Sequence, residues 1–132
     1  MDSIRPSGPP VLVVDDCHDA ADSLALLLKR WGYQAAVAYD GASALAAALA
    51  RPPVAVLLDM VMPGMDGCEV ARRLRGQPRA AQALLIALTG SGREEDVRLC
   101  REAGIDLHLL KPCDPAELRR VLDGRLAAPP AP

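Results

Sequence analysis

Val11-Leu12-Val13-Val14-Asp15-Asp16 is the stretch that decides the fold. Four consecutive apolar residues, three of them β-branched, stop at two carboxylates. A strand in a parallel sheet reads this way, because helices cover both of its faces and leave no wet side for alternating polar residues. Downstream, Ala20 to Trp31 places Leu24, Leu27, Leu28 and Trp31 at helical spacing, and Gly32 closes the helix. The pattern then repeats. Strands are predicted at Ala35–Tyr39, Val54–Leu58, Leu84–Leu88 and Ile105–Leu110, and helices at Ala42–Ala50, Gly67–Arg75, Glu94–Ala103 and Leu118–Leu126. Pro52-Pro53 stops the second helix and Gly104 the fourth. Asp66 with Glu69, and Asp114 with Glu117, have the spacing of capping boxes.

Five strand–helix units in strict alternation predict an α/β fold, a doubly wound parallel sheet with right-handed crossovers and helices on both faces. A length of 132 residues fits one domain. Residues 1–9 and 127–132 are rich in Pro and small residues and are read as flexible tails, which leaves 10–126 as the domain. Hydrophobic residues make up 51% against 2% aromatic, with no Phe, so the core must be built from Ala, Val and Leu.

Several classes are disfavoured. A formal net charge of −2 argues against a dedicated nucleic-acid binder. No apolar run approaches the roughly 18 residues that span a bilayer, and residues 1–10 lack the apolar core of a secretory signal. Cys17, Cys68, Cys100 and Cys113 show no CxxC pair and no Cys/His ligand spacing, so they are read as small, partly buried thiols of a reducing compartment. A cytoplasmic location and no membrane partner are the resulting expectations.

The functional signal lies in where polar residues interrupt the apolar runs. Asp15 and Asp16 end the first strand, Tyr39-Asp40 the second, Asp59 the third, Thr89 the fourth and Lys111 the fifth. Open parallel sheets bind ligands beyond the carboxyl ends of their strands, so these side chains should meet on one rim. Taken singly, each acid is as well explained as a helix cap or a solvated loop residue, and Asp15 or Asp16 could cap the first helix. Together they suggest more. Three close carboxylates need a compensating cation, and an all-oxygen set suits Mg²⁺. Lys111, one of only two lysines, adds a compact positive charge, and Thr89 a hydroxyl donor. Such a clamp fits a transferring phosphoryl group, with a carboxylate as the nucleophile.

The segments Val11–Asp16, Leu57-Leu-Asp-Met-Val-Met-Pro-Gly-Met-Asp-Gly67, Ala87-Leu-Thr-Gly90, Ala103-Gly104 and Leu110-Lys-Pro112, in this order, resemble a bacterial response-regulator receiver domain of the chemotaxis-regulator, flavodoxin-like type. The resemblance runs from about residue 10 to 126. It implies a (βα)5 sheet of strand order 2-1-3-4-5 and Asp59 as the phosphoacceptor. Asp15, Asp16, Asp59 and the Val61 carbonyl would hold Mg²⁺, with Asp15 acting partly through water. Thr89 and Lys111 would bind phosphoryl oxygens, and Lys111–Pro112 would be a cis peptide. It also implies a sensor-kinase phosphohistidine or a phosphotransfer protein as donor, a downstream protein target, and a partner and homodimer face over residues 94–126. Segments such as Ala20-Ala-Asp-Ser23 resemble receivers fused behind hybrid sensor kinases.

Three positions qualify that resemblance. His108 stands where the family's switch aromatic, partner of Thr89, is expected; its imidazole either sits as a tolerated half-exposed ring or makes signalling pH-sensitive. Val61, two past Asp59, offers no polar group to orient an attacking water, and Ser91, two past Thr89, is small enough to leave access open. His18 is read as a surface residue of the first helical turn. The competing readings are a Mg²⁺-dependent phosphohydrolase with an Asp nucleophile, and a degenerate receiver serving as a scaffold. Val61 counts against the first, since such hydrolases often carry a second acid there; the intact site set counts against the second. The chain is thus expected to be a phosphoacceptor and not a turnover enzyme. With no helix-turn-helix after residue 126, direct nucleic-acid binding is not expected, whether the domain stands alone or comes from a longer protein.

Overall fold

The computed structural model describes residues 8–126, and the two expected tails fall almost wholly outside them. The element order is β1 (Pro10–Val14), α1 (His18–Arg30), β2 (Gln34–Ala38), α2 (Gly41–Ala50), β3 (Ala55–Asp59), α3 (Gly67–Arg75), β4 (Leu84–Thr89), α4 (Glu94–Glu102), β5 (Leu107–Leu110) and α5 (Pro115–Arg125). All strand pairs are parallel and the sheet order is β2-β1-β3-β4-β5, which is the flavodoxin-like arrangement.

The strand side chains divide two ways with period two. Leu12, Val14, Val56, Leu58, Leu85 and Ala87 enter the core layer beneath α2, α3 and α4. Val11, Val13, Ala55, Leu57, Ile86 and Leu88 enter the layer beneath α1 and α5. Both faces are therefore dry, which is why β1, β3 and β4 read as unbroken apolar runs. The core is built from Ala, Val and Leu, as the missing aromatics require, with Ile86, Ile105, Met62 and Tyr33 filling in.

Element ends differ from the expectations where a tertiary contact intervenes. On α1 the fully buried stripe is Ala21, Ala25 and Leu28, while Leu24, Leu27 and Trp31 are only half-buried, because small residues let the helix sit close on the sheet. That helix starts at His18, not Ala20, and its N-cap is Cys17, which makes no side-chain cap. Neither Asp15 nor Asp16 caps it; Asp15 instead accepts from the Cys17 N–H at 3.0 Å. The last strand starts at Leu107 instead of Ile105, because the Asp106 carboxylate turns back to the Leu85 N–H and the Arg75 guanidinium. The fifth helix, by contrast, starts where an N-cap at Asp114 and a proline in the first helical position place it, at Pro115. Asp66 accepts from the Glu69 N–H at 3.0 Å, whereas the Glu69 carboxylate pairs with Arg72 and Arg73 in place of closing a box. Gly32 and Gly104 end α1 and α4 with φ of +98° and +100°, in the left-handed region that favours glycine.

Candidate functional site

With β1 at the centre of a 2-1-3 order, the chain leaves β1 toward one side of the sheet and β3 toward the other. A crevice must open above their carboxyl ends, and side chains there project beyond the last sheet hydrogen bonds. Asp15 follows β1 directly, and its own N–H is held by the Ala38 carbonyl at 3.1 Å. Asp59 is the last residue of β3, paired with Leu88 of β4. Both are buried, at 7% and 5% exposure, and Asp16 beside them is exposed. Carboxylate oxygens of Asp15, Asp16 and Asp59 lie within 4.8 Å of one another, the one group of three or more such ligand residues among the described residues.

Lys111 closes the cluster from β5. Its Nζ donates to Asp59 Oδ1 at 3.0 Å and stands 3.7 Å from Asp15 Oδ2. The Lys111 N–H donates to the Thr89 carbonyl at 2.7 Å, which anchors the strand ends to each other, and the Lys111–Pro112 peptide is cis. Burial pushes the Asp59 carboxyl above the usual range, and the neighbouring Asp15 charge adds to this, while the Lys111 ammonium and the Val61 N–H pull the other way. Burial also acts to lower the Lys111 ammonium, but its pairing with Asp59 and Asp15 outweighs this and holds it above its ordinary value. One ammonium thus faces three carboxylates. The remaining negative charge and the all-oxygen donor set fit a small hard divalent cation, so the residues present suit Mg²⁺.

Thr89 is buried at the end of β4, but its hydroxyl does not reach the acids: Oγ1 accepts from the Ser91 N–H at 3.1 Å. That leaves its own O–H free to donate. Ser91 is not merely a small neighbour. Its Oγ donates to Asp96, and its carbonyl accepts from His108 Nε2 at 2.8 Å, so the β4–α4 loop is pinned to β5. Nδ1 of the same ring is enclosed and has no hydrogen-bond partner among the described residues. Val61 is 78% exposed, and its N–H makes only a long 3.4 Å contact to Asp59 Oδ1. Asp40 is not part of the rim, since its carboxylate caps α2 by accepting from Ser43 N–H at 2.7 Å. His18 lies on the first turn of α1, exposed, with its ring stacked on Tyr39 at 3.7 Å.

Sequence reasoning passed over Arg75. Its guanidinium donates to the Gly104, Ala81 and Ala83 carbonyls and to Asp106, tying α3 to β4 and to the turn before β5. Nothing local in the sequence signals partners so far along the chain. A cleft of about 630 Å³ opens beside Arg75 and Asp106, and none of the rim residues lines it.

A family model described as the response regulator receiver domain matches residues 11–123. The chain is 38% identical over 126 residues to the DNA-binding response regulator MtrA of Mycolicibacterium smegmatis, covering 96% of this chain and 53% of that protein. It thus spans about half the length of the first curated relatives it matches. Among solved structures, the chemotaxis protein CheY4 of Vibrio cholerae aligns with a TM-score of 0.85 at 28% identity, covering 89% of this chain and 98% of that one. The receiver domain of sensor histidine kinase PA1611 from Pseudomonas aeruginosa PAO1, solved with a magnesium ion coordinated in its active site cleft, aligns with a TM-score of 0.84 at 30% identity over 92% of this chain and 100% of that one.

Proposed function

The chain belongs to the response regulator receiver family, and from that premise we propose that it is a phosphorylation-activated switch of a two-component or phosphorelay system. The observation that carries this reading is the convergence of Asp15, Asp16, Asp59 and Lys111 on one crevice. Asp59 would be the acceptor. One of its carboxylate oxygens bonds to phosphorus as the bond from phosphorus to the donor's imidazole nitrogen breaks; with a proton already on the ring's other nitrogen, the electron pair returns to the ring and the products are an aspartyl phosphate and a neutral imidazole. Asp15, Asp16, Asp59 and the Val61 carbonyl would hold Mg²⁺, which supplies positive charge to the phosphoryl oxygens and offsets carboxylate repulsion.

The chain's own groups do the rest. Lys111 Nζ, already on Asp59 Oδ1, is placed to follow a phosphoryl oxygen as Asp59 is esterified. The Thr89 hydroxyl, which accepts from Ser91, keeps its proton to donate to another. Drawing Thr89 inward would strain its bond to Ser91, and through the Ser91 carbonyl would disturb His108, so Thr89 and His108 act as the switch pair. Hydrolysis of the acyl phosphate resets the protein, which makes it a self-acting switch and not a turnover enzyme.

The donor is a sensor histidine kinase or a phosphotransfer protein, and the output is a changed protein-binding face over residues 94–126. Leu99 and Leu110 are about half exposed on that face, which supports a protein target or a second copy of this chain there. In this reading residues 10–126 contact no nucleic acid directly, consistent with the net charge of −2, although MtrA, of which this chain covers about half, is named as DNA-binding. No helix among the described residues is long and apolar enough to cross a membrane, and the four cysteines are free thiols, which supports the cytoplasm as the place of action. Incubation with an autophosphorylated histidine kinase in Mg²⁺ should move label to the wild type and none to Asp59→Asn. Label that stays on the kinase, or that reaches Asp59→Asn equally, overturns the reading.

A further inference from the structure

Ser91 stands in the β4–α4 loop, two residues past Thr89, and each of its polar groups is engaged. Its N–H donates to Thr89 Oγ1 at 3.1 Å. Its Oγ donates to Asp96 Oδ2 and accepts from the Arg93 N–H at 3.3 Å. Its carbonyl accepts from His108 Nε2 at 2.8 Å. Asp96 belongs to the acidic first turn of α4, Glu94-Glu95-Asp96, where any of these acids suits the helix dipole. Glu94 and Glu95 are exposed, whereas Asp96 is half-buried against the loop. Its Oδ2 also accepts from Arg93 Nε at 3.2 Å.

We propose that Ser91 and Asp96 form a latch that holds Thr89 back from the acidic crevice, which makes Asp96 a positioning residue for phosphotransfer. The proposal deepens the phosphoacceptor reading and rests on it. Thr89 Oγ1 is tied to the Ser91 N–H and makes no hydrogen bond to the acids, so it must move to reach a phosphoryl oxygen on Asp59. Either its bond to Ser91 breaks or Ser91 travels with it.

Asp96 cannot travel with them, because α4 is fixed to the core through buried Cys100. The Ser91–Asp96 bond is therefore the restraint that yields. Its acceptor is a carboxylate, and such bonds are stronger than neutral ones. A side chain on Gly90 would meet no atom within 4 Å, so the loop has room to move once released. Loss of the latch should ease the inward step of Thr89 and leave Asp15, Asp16, Asp59 and Lys111 in place.

Phosphorylation by phosphoramidate in saturating Mg²⁺ should be measured beside amide hydrogen exchange of the unphosphorylated protein. Ser91→Ala and Asp96→Ala should each raise the phosphorylation rate constant about tenfold, the scale of one hydrogen bond to a charged group, and the double variant no further. The Mg²⁺ concentration giving half the maximal rate should not move. Asp96→Asn keeps an acceptor oxygen and should stay closer to the wild type than to Asp96→Ala. Arg93→Ala removes only an exposed ion pair and should stay within about twofold of the wild type. In a Thr89→Ala background, adding Asp96→Ala should change nothing, because the latch acts through that hydroxyl. A merely loosened fold would still respond there. The Ser91 N–H should exchange about tenfold faster in Asp96→Ala than in the wild type. Should the wild type take up no phosphoryl group, the phosphoacceptor reading fails, and exchange at Ser91 alone decides the latch. Unaltered exchange in both Ser91→Ala and Asp96→Ala, or an acceleration by Asp96→Ala that persists without the Thr89 hydroxyl, overturns the proposal.

Discussion

Lys111 Nζ donates to Asp59 Oδ1 at 3.0 Å, a contact between residues 52 positions apart in the chain. Two strands that never pair directly, β3 and β5, are joined by it across the end of β4. The ammonium offsets part of the charge that burial and Asp15 make costly on Asp59, and it stands where a phosphoryl oxygen would need a partner.

Removing that ammonium should separate metal binding from chemistry. Lys111→Ala leaves Asp15, Asp16 and Asp59 in place, so Mg²⁺ binding is expected to persist, and the loss of a cation should tighten it if anything. Phosphorylation by a small phosphodonor should slow on the order of a hundredfold, the scale of losing one preorganised donor. Parallel Mg²⁺ titration and rate measurement check this; equal loss of both would contradict it.

Val61 sets an exposed apolar group beside the acceptor. A polar side chain there could hold an attacking water, so Val61→Asn should shorten the lifetime of the phosphorylated protein by roughly two- to tenfold through better positioning. Following decay after the donor is removed tests it, and an unchanged or longer lifetime counts against the role assigned to Val61.

The His108 ring donates from Nε2 to the Ser91 carbonyl at 2.8 Å and so pins the β4–α4 loop to β5. His108→Ala removes that donor, so the ratio of partner affinity with and without phosphodonor should shrink about fivefold, the scale of one hydrogen bond. An unchanged ratio would remove His108 from the switch.

Arg75 holds three carbonyls and the Asp106 carboxylate with a planar fork that lysine cannot reproduce. Arg75→Lys should cost about 2 kcal/mol of unfolding free energy by urea titration, since carbonyls lose charged partners at a partly exposed site. Phosphorylation of the folded fraction should be unaffected. A cost near zero would mean that water replaces the guanidinium without loss.

How much of this was legible beforehand differs from one element to the next. The runs Val11–Val14 and Leu84–Leu88 announced buried parallel strands, because covering both faces leaves a plain compositional mark. The places of Asp59, Thr89 and Lys111 at the carboxyl ends of β3, β4 and β5 were legible for the same reason, as polar residues that end apolar runs. Which strand pairs with which carries no such mark, and the 2-1-3-4-5 order came only from resemblance to a known family. Long-range partners were hidden too. Asp106 reads as part of a strand until Leu85 and Arg75 claim its carboxylate, Asp15 reads as able to cap α1, and Ser91 reads only as a small residue that leaves access open, with its bond to Asp96 unmarked. The sulfur contact of Met60 with Cys100 joins residues 40 apart and has no local signature.

The central claim, that Asp59 takes up one phosphoryl group, is tested most directly by intact mass measurement after incubation with a small phosphodonor and Mg²⁺. The wild type should gain about 80 Da, one phosphoryl group on a carboxylate, and Asp59→Asn should gain nothing. A wild type whose mass stays constant with Mg²⁺ present, or an Asp59→Asn variant that gains the same increment, would contradict it.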